Sequence, residues 1–367
     1  MLVLAVALAA AGACSDAPSA ETSAAGSGKT SDLSVIEQTL QNLDGAARTE
    51  RLAEVARAET AVATLYTSMT LDDAEVVIDA FRERHGVDVE LFRASSDKVL
   101  LRLVQEAEAG FSGADVILTG ALELEVLSDE QLILPLTTPA TAGILEEAVF
   151  PTWAGVYLQT FVATWNTNLL DPADVPKTWE DVLTQYPTGL VLELGDFDWF
   201  ATLVQKHFVG ELGYTETDAI DLFRQAAGVA TIVDGHTLMA ELLAAGEFNL
   251  ATSAYHARVG RLIADGAPIS WEPAVEPLVV RPNGVAIARD TDAPATELLF
   301  AEYLLTEAQP LLAELGRTPA DTSTPGGLPA AYTVKTVDVE TLTRDRAKWE
   351  SLYASIVELS GDSGAEN

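Results

Sequence analysis

The chain is short of several things that would settle its class at once. Its 367 residues hold one cysteine, Cys14, so no disulfide closes within it and packing must supply the stability. Lys and Arg number 21 against 56 Asp and Glu, a formal charge of −35. That deficit of cations argues against a nucleic-acid backbone as partner, and equally against electrostatic attachment to anionic lipid. There is no G-x-S-x-G elbow and no H-E-x-x-H pair. The apolar run that opens the chain, about a dozen residues, is too short to span a bilayer.

That run is MLVLAVALAAAGAC. It has the length of a secretory h-region, with small residues at Ala11-Gly12-Ala13. A cysteine directly after it resembles the lipobox of bacterial lipoproteins, which implies that Cys14 carries a lipid and begins the mature chain. Residues 1–14 are then a signal peptide and Cys14 the membrane link; a plain signal peptide with a chance cysteine is the other reading. Residues 15–32 lack aromatics and are rich in Ser, Ala, Gly and Thr, a composition that reads as a flexible tether. Within it, GSGKT imitates a phosphate loop, but Ser23 stands where the pattern needs glycine and no strand precedes it.

With 48% hydrophobic residues the remainder can bury two cores. Residues 33–59 have helical spacing. Residues 62–66, 87–92 and 115–118 read as strands, each followed by a helix; Thr70 and Asp73 match a capping box. In the helix they open, Ala74, Val77, Ile78 and Phe81 share one face. A second series follows, with strands at 189–194, 231–233 and 248–252. Extended stretches at 156–165 and 278–288 connect the two units, and helices are expected at 295–315 and 339–359. Alternating strands and helices predict an α/β fold of two lobes, each a mostly parallel sheet flanked by helices, joined by a two-stranded hinge. The expected boundaries are 33–158 for the first part of lobe 1, 159–277 for lobe 2, and 278–367 for the return to lobe 1 and the C-terminal helices.

In open α/β sheets ligands bind beyond the carboxyl ends of the strands. In the first unit this selects Thr67, Ser68, Thr70, Ser95, Ser96, Thr119 and Gly120, small and hydroxyl-rich positions at helix starts. Such positions suit an anion or an oxygen-rich ligand, and equally suit simple capping. In the second unit it selects Asp196, Asp198, Trp199, Asp234, His236, Thr237, Ser253, Tyr255 and His256. Asp198, Tyr255 and His256 together resemble ligands for a hard metal ion. His85 and His207 read as packed or solvated.

Taken in order, LAEVARAETAVATLYTS, ADVILTGALELEVLSDEQLI, the crossing strand ending WNTNLL, PKTWEDVL, LLAAGEFNLA and DGAPISW resemble the extracellular solute-binding proteins of bacterial ABC importers, in the group around the ferric-iron-binding proteins. The resemblance implies a type 2 periplasmic-binding-protein fold, closure over a small-molecule or metal-ion ligand, and delivery to a permease and ATPase complex. It implies no enzymatic reaction, no cofactor beyond a transported ferric ion, a monomer, and an extracytoplasmic, lipid-anchored location. An enzyme or sensor module on the same scaffold is the alternative. The iron-binding members place two consecutive tyrosines where this chain has Tyr255-His256, and commonly a histidine where it has Thr67-Ser68-Met69-Thr70. Ferric iron, an oxyanion or phosphorylated organic, and other solutes such as a polyamine or thiamine therefore all stay open.

Overall fold

The computed structural model describes residues 29–291, 293–325 and 332–358. The expected signal peptide, Cys14 and most of the expected tether lie outside these residues. A helix begins at Lys29, so the last residues of the segment read as tether are helical, continuous with the amphipathic pattern that follows.

Among the described residues eleven strands form one hydrogen-bonded sheet: β1 (Ala63–Thr67), β2 (Val89–Arg93), β3 (Val116–Gly120), β4 (Ala154–Asn166), β5 (Leu190–Glu193), β6 (Thr231–Val233), β7 (Leu250–Tyr255), β8 (Ile269–Ser270), β9 (Leu278–Ile287), β10 (Thr318–Pro319) and β11 (Val334–Thr336). The main path runs β2-β1-β3-β9-β4-β7-β5-β6. β1 pairs parallel with β2 and β3, and β5 pairs parallel with β6 and β7. These two parallel sets are the sheets of the two lobes. The inner strands β3 and β5 are short, mostly apolar runs buried at every position, because helices cover both faces there.

β4 and β9 join the lobes. They pair antiparallel with each other from Ala154 to Phe161, while β9 continues into β3 and β4 continues into β7. Each is long enough to serve both lobes, with 13 and 10 residues. The first-lobe helix Leu71–His85 buries Ala74, Val77, Ile78 and Phe81, the stripe its spacing predicts. The helix Pro294–Leu305 is buried on all sides, and Arg48 from the helix Gly45–Ala56 pairs with its Glu302 at 2.7 Å.

Two local expectations are corrected. The capping box at Thr70 does not form, because Asp73 turns to two arginines instead. The segment read as one helix at 339–359 is two, and the second, Arg346–Val357, packs on the second lobe. Its Trp349 and Tyr353 lie 5.8 and 5.4 Å from the Phe200 ring, and the Tyr353 hydroxyl donates to the carbonyl of Glu193. Aromatic area, rather than chain direction, decides that placement.

Candidate functional site

A cleft of about 380 Å³ opens between the lobes, over one face of the β4–β9 pair. From the first lobe come Ser68, Thr70, Asp72, Arg93, Ser95, Ser96 and Arg317, and from the second Gly235, His236, Thr237, Tyr255, Arg258 and Arg261. Tyr157, Gln159, Arg281 and Asn283 of the two joining strands form its floor.

The sequence locates the lining by a simple rule. The helices Leu71–His85, Ser96–Glu108, His236–Ala245 and His256–Ala264 each follow a strand of the parallel sets. Their N-cap residues Thr70, Ser95, Gly235 and Tyr255 all line the cleft. None of the three that carry a side chain, Thr70, Ser95 and Tyr255, caps the backbone of its own helix with it. Four helix starts, with their free N–H groups and positive dipole ends, therefore face one space. At Gly235 the backbone has φ +104°, a conformation that a side chain would strain.

Five arginines line the same space, in a chain with 21 basic residues and a charge of −35. Arg93 ends β2; its Nε donates to the Met69 carbonyl, and among the described residues no carboxylate pairs with it. Arg281 stands in β9, donating to Asp198 at 2.7 Å and to the Tyr255 hydroxyl at 3.3 Å. Arg258 pairs with Glu241 at 2.5 Å. The Nε groups of both Arg258 and Arg281 are buried without an acceptor. A buried N–H left unpaired costs about 1–3 kcal/mol.

His236 lies flat against Tyr255, with ring centres 3.8 Å apart and planes 9° from parallel. Its Nε2 meets Asp196 at 2.8 Å. Burial alone would push the imidazole pKa down, but the adjacent charge and hydrogen bond of Asp196, with Glu193 behind, hold it above the ordinary value. Burial pushes the Glu193 carboxyl up, and Asp196 adds to the rise. Glu193, Asp196 and His236 bring three donor atoms within 4.8 Å of one another, near enough to share a metal ion. As they stand, hydrogen bonds close the group: Glu193 accepts from the N–H of Gly195 and Gly235, and Asp196 from His236.

Of the positions selected from sequence, Ser68, Thr70, Ser95, Ser96, His236, Thr237 and Tyr255 line the cleft. The others do not. Thr67 is fully buried and donates to the Leu118 carbonyl. Thr119 is also buried and holds Ser68 through a 3.2 Å hydrogen bond, while Gly120 starts a helix against Glu123. Trp199 is core, edge-on to Trp179 and Phe223 at 5.5 and 5.6 Å. His256 packs edge-on to Trp271 at 4.8 Å, away from the lining. The expected metal trio therefore does not converge. The Arg281 guanidinium bonds both Asp198 and the Tyr255 hydroxyl, so a cation already holds those two donors.

Sequence reasoning missed the five arginines. One signal was available: Arg281 is the only charged residue in the apolar strand LVVRPNGVAI.

Two lobes on a pair of shared strands, with a polar cleft between them, define a type 2 periplasmic binding protein. The family model for bacterial extracellular solute-binding proteins matches residues 77–325, and the chain belongs to that family. No curated protein matches the chain. Among solved structures it is similar to iron-bound HitA from Pseudomonas aeruginosa, with a TM-score of 0.68 and 17% identity over 80% of this chain and 99% of that one. It is similar to AfuA from Actinobacillus pleuropneumoniae with fructose-6-phosphate bound, with a TM-score of 0.70 and 18% identity over 82% of this chain and 100% of that one. It is also similar to IdiA (FutA) from Trichodesmium in complex with iron and citrate, with a TM-score of 0.64 and 19% identity over 81% and 99%. At these identities the likeness establishes the fold. The family places the protein outside the cytoplasm as a solute-binding component of import. Among the described residues no helix is long and apolar enough to cross a membrane.

Proposed function

We propose that this protein captures a small anionic solute with an oxygen-rich group, a phosphate ester, phosphonate or comparable oxyanion, for an ABC permease and its ATPase. One observation carries the reading: five guanidinium groups and four helix starts converge on one cleft of a strongly acidic protein. Ferric iron fits this cleft poorly. Burial pushes the Tyr255 phenol pKa well up, only partly opposed by Arg281. An arriving ferric ion would have to displace a guanidinium from both Asp198 and Tyr255. Cys14, lipid-modified, would hold the monomer at the membrane, and the protein would release its solute unchanged.

The test is a titration calorimetry and melting panel of inorganic phosphate, methylphosphonate, fructose 6-phosphate and ferric citrate. A true solute at a hundredfold excess over its dissociation constant stabilises by about 2.7 kcal/mol. Binding by one or more of the phosphorus anions is expected. Arg93→Gln should weaken it at least about tenfold, since a hydrogen bond to a charged group is worth roughly 1.5–3 kcal/mol, and should leave the ligand-free melting temperature unchanged. Stoichiometric binding of iron with no response to any anion defeats the proposal.

A further inference from the structure

Asp73, 2% exposed in the first turn of the helix Leu71–His85, is shared by two arginines from opposite sides of the cleft. Arg317 belongs to its own lobe, just before β10. Its Nε and Nη2 donate to Asp73 Oδ2 at 2.9 and 2.6 Å, and its guanidinium lies 4.5 Å from the centre of the Tyr157 ring. Arg261 belongs to the second lobe, in the helix His256–Ala264. Its Nη2 donates to both Asp73 oxygens at 2.8 and 2.9 Å and to the Leu315 carbonyl at 3.1 Å. Every acceptor of this side chain therefore lies across the cleft.

We propose that Arg261 is a clasp: by bonding Asp73 and Leu315 it holds the lobes together before any solute arrives, and so sets the affinity of the cleft. The asymmetry of the triad is what makes the clasp reversible. When the lobes part, Asp73 keeps Arg317, which is 7% exposed, so no buried carboxylate is stranded. Arg261, whose side chain is already 37% exposed, returns to water. Only a charge-assisted contact is exchanged for hydration, a small enough difference for both states to be populated. The apparent dissociation constant of any solute that binds the closed form is its intrinsic value divided by the closed fraction. That last consequence rests on reading the cleft as a solute site; the clasp itself does not.

The experiment uses no solute. Spin labels at Leu101→Cys in the first lobe and Leu238→Cys in the second, both exposed positions, report the distance between lobes in a Cys14→Ser chain by pulsed electron resonance. With Arg261 intact the short-distance population dominates. Arg261→Gln lowers the closed-to-open ratio about tenfold, the scale of one charge-assisted contact. Arg261→Lys, which keeps the charge, recovers most of it. Arg261→Met, which keeps the aliphatic stem, behaves as the glutamine variant does and shows that charge, rather than packing, is responsible. Superimposable distributions for wild type, Gln and Met overturn the proposal. A cleft that binds none of the phosphorus anions, with the clasp distances responding as stated, overturns the anion reading and leaves the clasp standing.

Discussion

At the scale of single residues, the second lobe has built its most constrained contact from His236. The ring is stacked on Tyr255, bonded to Asp196, and placed at the first position of its helix by a glycine with positive φ. Asp196 is 2% exposed and its second oxygen has no partner, so the negative charge beside the ring is little screened. The imidazole pKa is raised on folding despite burial, which fixes the sign of its contribution. The charged ring contributes stability that is complete below the unfolded value of about 6.5 and is lost as pH rises through the folded value. His236→Gln should therefore flatten the fall in melting temperature above about pH 6.5, and Asp196→Asn should lower the pKa read from the ring resonances by nuclear magnetic resonance. A ring that titrates at or below the ordinary value in the intact protein would contradict this account. Trp199 shows the opposite case. The same rule that selected Asp198 selected its neighbour, but an indole in the first turn of a helix covering a sheet is large enough to be taken into the core.

At the scale of elements, the joining strands meet at two glycines. Gly155 of β4 pairs with Gly284 of β9, and a Cβ at Gly284 would stand 2.4 Å from Cε3 of the buried Trp153 and 2.9 Å from the Ala154 carbonyl. Neither neighbour is the loose end of a flexible chain. Gly284→Ala should cost about 1–3 kcal/mol by overpacking, seen as a lower urea midpoint. An unchanged midpoint would mean that the strands slide past each other more easily than their ladder suggests. This crossing was legible in the sequence as two extended apolar stretches, and so were the parallel strands, because a strand buried on both faces is a short unbroken apolar run. The amphipathic helices were legible for a similar reason. β8, β10 and β11 were not: each has two or three residues and exists only because β4 or β9 offers an edge. The capping-box reading of Asp73 failed on the same ground. The pattern is local, while the partners that claim the carboxylate lie 188 and 244 positions away.

At the scale of the whole molecule, the charge distribution opposes itself. A body of charge −35 repels an anion from a distance, while its cleft presents five guanidinium groups. Which field an arriving solute feels depends on ionic strength, since the Debye length is about 30 Å at 0.01 M and about 8 Å at 0.15 M. At low salt the repulsion of the acidic surface reaches well into solution and slows encounter. Near physiological salt that surface is screened, yet a solute already within the cleft mouth stands only a few ångströms from the arginines. The association rate constant of a phosphorus anion that binds should therefore rise as salt increases from about 0.01 to 0.15 M, and fall again toward 1 M as the cleft itself is screened. Stopped-flow measurement of that rate, with the ionic strength set by a salt whose anion does not compete, checks the shape. A steady fall from the lowest salt upward would show that the cleft outweighs the surface at every distance, leaving the acidic exterior no part in capture. A maximum near 0.15 M would tie the two halves of the charge pattern together: the exterior turns anions away in dilute solution, and the arginines select them at contact.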